Sequence, residues 1–274
     1  MSSQIILSVD GLGKSYGPDG AGTTAIADVS LTVEESAFVS VVGPSGCGKT
    51  TLLKCIAGLL SPSRGEVRFR DRPVSGPPPE MAVVFQDYSR SLFPWLTARS
   101  NIELPMRARK IGKADRRVVA ERVIKEVGLS GFEDHFPAQM SGGMQQRVAI
   151  ARALAVEPTV LLLDEPFASV DAQTRVELED LVLALRQKFA ITTLLVTHDI
   201  DESIYMSDQV VVLTRQPSIV SETLDVGLPW PRDQLTTKSD PGFAELRAQV
   251  YTKVAAAHGT EHVTDHATKA AVAR

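Results

Sequence analysis

Cysteine is nearly absent from this chain: Cys47 and Cys55 are the only two among 274 residues. With no second pair they cannot frame a metal site, and so few thiols in so long a chain fit a reducing compartment. Long apolar runs are missing as well. None approaches the roughly 20 residues a bilayer span requires, so the chain is not expected to cross a membrane alone. There is no excess of positive charge, since the net charge is −4. A broad nucleic-acid footprint needs basic surface to replace counterions, so no nucleic-acid partner is expected. The start, Met1-Ser2-Ser3-Gln4, has neither a basic region nor a long apolar core, and no export signal is read there. What remains is 43% hydrophobic and 23% charged, a globular composition with length for one large domain or two modest ones. A cytosolic location is expected.

The first third reads as strands and turns. Val29, Leu31 and Val33 alternate with polar neighbours, as do Val67 and Phe69, which is the period of a half-buried strand. Phe38 to Val42 is a short apolar run that ends in a glycine-rich turn, and Leu52, Leu53, Ile56, Leu59 and Leu60 follow at helical spacing. Ser75-Gly76-Pro77-Pro78-Pro79 must be a loop, because it cannot supply ladder hydrogen bonds. Met81 to Phe85 reads as the next strand. From about Asp87 to Ala155 the alternation stops, and Ala114 to Val127 reads as a helix within a helical insertion. A strand from Val160 to Leu163, a helix from Ala172 to Phe189 and a strand from Thr192 to Val196 then restore a βα rhythm. Such a rhythm implies a parallel sheet with helices on its faces.

Gly43-Pro44-Ser45-Gly46-Cys47-Gly48-Lys49-Thr50-Thr51 matches the phosphate-binding loop pattern in full. Its glycines let successive backbone N–H groups converge on an anion, and the helix behind adds its positive end. Lys49 supplies a mobile charge for the β- and γ-phosphates, and Thr50 offers a hydroxyl to Mg²⁺. Cys47 has no role in this reading beyond being a tolerated small residue. Val160 to Leu163 followed by Asp164-Glu165-Pro166 puts two carboxylates at the carboxyl edge of the sheet, where open α/β folds bind ligands. Asp164 would hold Mg²⁺ and Glu165 would polarise an attacking water. Taken alone, such a strand end is ordinary; beside a phosphate loop it gains meaning. Met140-Ser141-Gly142-Gly143-Met144-Gln145-Gln146-Arg147 opens a further helix, and Ser141 with two glycines makes a second anion-binding cap. One nucleotide does not need two such caps from one chain. The economical reading is that this one serves the γ-phosphate of a nucleotide held by another copy; the plainer one is a serine N-cap with glycine punctuation.

With these motifs in this order, roughly residues 5 to 225 resemble the ATP-binding cassette (ABC) ATPases. The resemblance implies an α/β fold: a P-loop NTPase core of ABC ATPase type, with an N-terminal antiparallel β subdomain and an inserted α-helical subdomain. It implies ATP and Mg²⁺ as cofactors and ATP hydrolysis coupled to transport. Tyr16 matches the aromatic residue that stacks on adenine, and Gln86 the glutamine that contacts Mg²⁺ and the attacking water. Ser141, Gly142 and Gly143 match the signature loop that completes the partner's site. Asp171 matches the loop that crosses between protomers, and His198 the switch histidine on the γ-phosphate. Met140 and Met144 depart from the commonest signature, and Ser36-Ala37 stands where relatives often have a glycine turn. Within the family the chain is most similar to nitrate/sulfonate/taurine-type importer ATPases. Phe85-Gln86-Asp87-Tyr88, Leu92-Phe93-Pro94-Trp95-Leu96-Thr97, Val196-Thr197-His198-Asp199-Ile200-Asp201-Glu202 and Leu228-Pro229-Trp230-Pro231-Arg232-Asp233 carry that likeness. It implies a second copy, an integral-membrane permease docked near Tyr88 to Leu104, indirectly a solute-binding protein, and a peripheral place on the cytoplasmic side of the membrane.

The expected division is 1–86 for the β subdomain and phosphate-loop part of the core, 87–155 for the helical insertion with the signature, and 156–228 for the rest of the core. Residues 229–274 form a C-terminal extension expected to end in poor order. His258, His262 and His266 recur every fourth residue and read as part of a polar tail rather than a metal site. Arg107, Arg109, Lys110, Lys113, Arg116 and Arg117 read as a solvated helix face. The alternatives are a non-transport ABC ATPase or an importer ATPase for an unrelated solute. A repair-type member would need long coiled-coil arms between Gln86 and Ser141, for which the sequence has no room.

Overall fold

The computed structural model describes residues 4–17, 22–87 and 91–257. Ile5–Ser15 (β1) pairs antiparallel with Thr24–Glu34 (β2) on one side and with Arg64–Phe69 (β4) on the other. Arg72–Pro73 (β5) closes that edge. Alternate residues of β2, among them Val29, Leu31 and Val33, are buried, as period-2 patterning requires. This is the antiparallel part of the sheet.

Phe38–Val42 (β3) is buried at every position, the mark of a strand covered on both faces. So are Val160–Asp164 (β7) and Thr192–Val196 (β8). Met81–Val84 (β6), β7, β8 and β3 run parallel, with β8 between β3 and β7. Gln209–Leu213 (β9) lies parallel to β3 on its other side. Ser218–Asp225 (β10) pairs with both β9 and β2, so one sheet of order β5-β4-β1-β2-β10-β9-β3-β8-β7-β6 runs through both parts.

Each parallel strand sends alternate side chains to opposite faces. Val39 and Val41, with Val160 and Leu162, join a core that also holds Leu52, Leu53 and Ile56 of Lys49–Ile56 (α1). That helix is thus caught between the parallel strands and the curled antiparallel ones. Burying each of its three large apolar side chains stabilises the fold by about 1.5–3 kcal/mol. Phe38, Val42, Leu161 and Leu163 face the second core, which they share with the remaining helices. These are Ala98–Ala108 (α2), Lys113–Glu126 (α3), Gly142–Leu154 (α4), Ala172–Phe189 (α5), Ile200–Met206 (α6) and Pro241–Ala257 (α7).

The structure adds to the sequence reading at two places and departs from it at a third, the basic run. The extension after Pro229 shows weak periodicity, yet it forms α7, anchored by fully buried Phe243 and Val250, seven residues apart. Only two anchors suffice because the helix lies along an existing surface and buries a narrow stripe. The basic run is not all solvated: Arg116 donates to the Ile111 carbonyl at 2.6 Å and pairs with Glu103 at 3.6 Å, and Arg109 donates to the carbonyls of Pro79 and Val156. Ser36 holds a left-handed φ of 63°, a conformation that favours glycine. Its N–H donates to Thr192 Oγ1 at 2.8 Å, which secures the turn without one. His258, His262 and His266 lie outside the described residues, as does Tyr88.

Candidate functional site

Because β3, β8, β7 and β6 are parallel neighbours, the loops at their carboxyl ends open on one edge. Gly43–Gly48 leaves β3, Thr197-His198 leaves β8, Asp164-Glu165 ends β7 and Gln86 follows β6. Four segments far apart in sequence therefore share one site.

The loop after β3 is shaped by Gly46 and Gly48, with φ of 76° and 106°; a Cβ there would be strained. A Cβ at Gly43 would meet the Leu213 carbonyl at 3.0 Å and Cys47 Sγ at 3.1 Å. Cys47 is thus a packing residue, fully enclosed, and burial pushes its thiol pKa up. Pro44 O accepts from Cys47 N at 3.1 Å, closing the turn. Thr51 follows in α1, and Ser45 sits on the loop's exposed rim. Lys49 is 5% exposed, and its ammonium donates to Gly43 O at 2.8 Å and Pro44 O at 3.1 Å. The charge is thereby held inside the cradle by its rim. Tyr16 stands beside it, its hydroxyl 3.2 Å from Thr51 Oγ1 and its ring about half exposed.

Thr50 Oγ1 donates to Asp164 Oδ1 at 2.9 Å. Asp164 is 4% exposed, and burial raises its pKa despite that bond. A buried carboxylate against a hydroxyl, with a lysine nearby, is a hard oxygen pair of the kind Mg²⁺ takes together with phosphate oxygens. Among the described residues no group of three or more His, Cys, Asp or Glu could hold a metal by itself.

Glu165 takes a left-handed φ of 44°, and its N–H donates to Val196 O at 2.8 Å. That backbone costs on the order of 1–3 kcal/mol, and it turns the carboxylate into the open edge. There Glu165 Oε2 accepts from Gln86 Nε2 at 3.3 Å and lies 3.0 Å from His198 Nδ1. Gln86, Glu165 and His198 thus meet on one oxygen.

Ser141 caps α4: its hydroxyl accepts from Met144 N at 3.2 Å. Met140 is buried, Met144 packs on the helical core, and Gln145 donates to Pro137 O and Met140 O. The two methionines therefore face inward and leave the exposed Ser141 unchanged. A Cβ on Gly143 would lie 2.4 Å from Thr174 Cγ2, so a bare backbone is required there. Gly142 begins the helix beside it. Asp171 caps α5, accepting from Thr174 N at 3.0 Å and from its hydroxyl at 2.7 Å, and that backbone N–H draws its pKa down. The Ser141 and Asp171 loops thus abut through Thr174. Their described hydrogen bonds run within their own helices, not to Lys49 or Glu165.

Sequence reasoning missed the link between these groups. Arg175 Nη1 reaches Asp199 Oδ2 at 3.1 Å, while Asp199 Oδ1 accepts from Glu202 N at 3.1 Å and caps α6. Asp199 with Glu202 three residues on is a helix-start signature, and it was the available clue. Glu202 is 5% exposed, and burial pushes its pKa well above the ordinary glutamate range.

Three comparisons bear on this arrangement. The family model described as ABC transporter matches residues 26–168. The aliphatic sulfonates import ATP-binding protein SsuB 1 of Pseudomonas savastanoi pv. phaseolicola is 49% identical over 238 residues, 87% of this chain and 93% of that one. The taurine import ATP-binding protein TauB of Yersinia pestis bv. Antiqua is 44% identical over 253 residues, 91% and 97% of the two chains. Among solved structures, the dimeric post-hydrolysis state of the ATP-binding cassette MJ0796 bound to ADP and Pi superposes with a TM-score of 0.71 at 32% identity. It covers 81% of this chain and 99% of that one.

Proposed function

This chain belongs to the ABC transporter family of ATP-hydrolysing cassettes, and from that premise we propose how its residues divide the work between two copies. Two chains close head to tail around two ATP, each Lys49 cradle facing the other chain's Ser141. The observation that carries the hydrolytic part of this reading is the convergence of Gln86 and His198 on Glu165, the residue next to Asp164 of the Asp164–Thr50 pair.

Tyr16 offers its exposed ring face to adenine. Backbone N–H groups from Gly43 to Thr51 cradle the phosphates, and Lys49 exchanges its two carbonyl acceptors for β- and γ-phosphate oxygens. Thr50 and Asp164, with Gln86 nearby, would hold Mg²⁺, which when bound offsets charge on the phosphates. Glu165 accepts a proton from the water that attacks the γ-phosphorus, so the P–O bond to ADP breaks as the new one forms. Its contact with Gln86 and His198 fixes the accepting oxygen, and His198 contacts the γ-phosphate. Ser141, Gly142 and Gly143 serve the partner's γ-phosphate through hydroxyl and backbone donors, and Asp171 crosses at the same interface.

Release of the dimer after hydrolysis drives a permease that docks around residues 88–104. Phe93 and Trp95 stand there edge to face at 5.3 Å, and Trp95 is 69% exposed. Buried Asn101 fixes the loop beneath them, accepting from Phe93 N at 2.8 Å and donating to Leu96 O at 3.0 Å. Among the described residues no helix is long and apolar enough to cross a membrane, so we place the chain peripherally on the cytoplasmic side through this contact. The solute is a small anion of the nitrate, sulfonate or taurine kind, delivered by a solute-binding protein. We keep the division at 86, 155 and 228 as the working boundaries of the subdomains.

The shared site is tested by ATPase rate against protein concentration. A rate rising more steeply than linearly through the monomer–dimer range is expected; a strictly linear rate from protein shown to be monomeric would reject the two-chain site.

A further inference from the structure

The C-terminal extension lies beyond the stretch matched by the family model, yet it touches the helix behind His198 at its first and last turns. In the first turn of α6, Arg247 of α7 grips Asp201 with two bonds, Nε to Oδ1 at 2.6 Å and Nη2 to Oδ2 at 2.5 Å. The Arg247 guanidinium also lies 5.3 Å from the ring of buried Phe243, which limits its freedom. In the last turn of α6, Lys238 sits 4.8 Å over the ring of Tyr205 and 3.5 Å from Glu179. Gln234 and the Tyr205 hydroxyl both donate to Asp180, at 2.9 and 2.6 Å. Just past α6, Arg232 donates to Ser207 O at 3.0 Å and Trp230 Nε1 to Asp208 at 2.9 Å.

A seven-residue helix has little stability of its own. Its position is decided by what holds it. Its last turn is packed into the core by Ile204, Tyr205 and Met206, while its first turn, next to His198, is held by Arg175 on Asp199 and by Arg247 on Asp201. An imidazole on a loop that is 56% exposed at the side chain has no packing of its own to fix it, so its distance to Glu165 depends on that helix. From this we propose that the C-terminal extension is a positioning element for hydrolysis, with Arg247 its principal contact: through Asp201 it seats α6 and thereby holds His198 against Glu165. The extension is then a place where ATP turnover can be adjusted without touching the nucleotide. This rests on the role given above to His198.

The test uses the full chain and compares Arg247→Ala, Asp201→Ala and the charge-swapped pair Arg247→Asp with Asp201→Arg. Each single change is expected to lower kcat about two- to fivefold, the range open to a partly exposed ion pair, with KM for ATP unchanged. Melting temperature should stay within about 2 °C of the parent, and the swapped pair should recover most of the lost kcat. Parental kcat in both single variants overturns the proposal. So does a loss that follows a fall in melting temperature and is not recovered by the swap, which marks a merely structural contact. His198→Ala run in parallel separates the two readings: its inactivity beside fully active Arg247→Ala defeats the proposal alone, whereas full turnover by His198→Ala defeats the histidine's role and the proposal together.

Discussion

The edge at Lys49, Asp164, Glu165, Gln86 and His198 and the cap at Ser141, to both of which we assign phosphate, are held differently. At the first, partners come from other strand loops for Thr50 on Asp164 and for Gln86 and His198 on Glu165, while Lys49 is held by the rim of its own loop. At the second, the described side-chain bond of Ser141 runs into its own helix and Gly143 is bare against Thr174. One is assembled by the fold of a single chain; the other is the one we assign to a second. A side chain in the first should matter to both binding and chemistry, and one in the second chiefly to a step that needs two chains.

The sharpest way to break this contrast is Glu165→Gln. Turnover should fall on the order of 10²–10⁴-fold, the usual contribution of a general base, while ATP binding persists and dimer accumulates in light scattering with ATP. Vigorous turnover would remove Glu165 from its role. Lys49→Ala should come next, weakening ATP binding by about 10- to 100-fold, as expected for a lost charge-assisted hydrogen bond, measured by titration with the chain kept dilute. Equal affinity in the two proteins would mean that the rim carbonyls, not phosphate, are the true partners of the ammonium. Ser141→Ala is the counterpart in the open half. Loss of the cap is worth about 1 kcal/mol; helix α4 should lose about that much stability, and hydrolysis should fall while ATP affinity of dilute monomer stays at the parental value. A matching drop in monomer affinity would place Ser141 in its own chain's pocket.

The smallest effect concerns the floor of the assembled half. Glu202 has its pKa raised by burial, so the folded state binds a proton that the unfolded state releases near the usual glutamate value. Its neutral form is fully present below that value, and its contribution is lost as pH rises toward the folded pKa. In Glu202→Gln that slope should vanish, so the variant gains stability relative to the parent as pH rises from about 4.3. Parallel denaturant midpoints for the two proteins across pH would show that Glu202 is ionised in the folded state.

Much of this was legible in the residues. The runs at 38–42 and 192–196 are strands with the expected bounds, the strand expected from Val160 to Leu163 extends one residue further to Asp164, and the helix expected from Ala172 to Phe189 has those bounds. The phosphate loop, Asp164 and Glu165 could be read because each is a short local pattern whose meaning depends on a strand behind it. The Arg175–Asp199 link could not, since a salt bridge from α5 to a helix cap has no sequence period, although the Asp199–Glu202 spacing marks the cap itself. Nor could α7, whose two buried anchors are hidden in an alanine-rich stretch.

Local chemistry is what the chain by itself decides: which loop bends through glycine, which strand end is acidic, which helix starts with a serine. These follow from backbone freedom and hydrophobic period over a few neighbouring residues. Strand order was settled only in three dimensions. Placing β8 between β3 and β7 sets His198 beside Glu165, and packing of the last helix seats Arg247 on Asp201, because such neighbours are fixed by how two cores are filled on either side of one sheet.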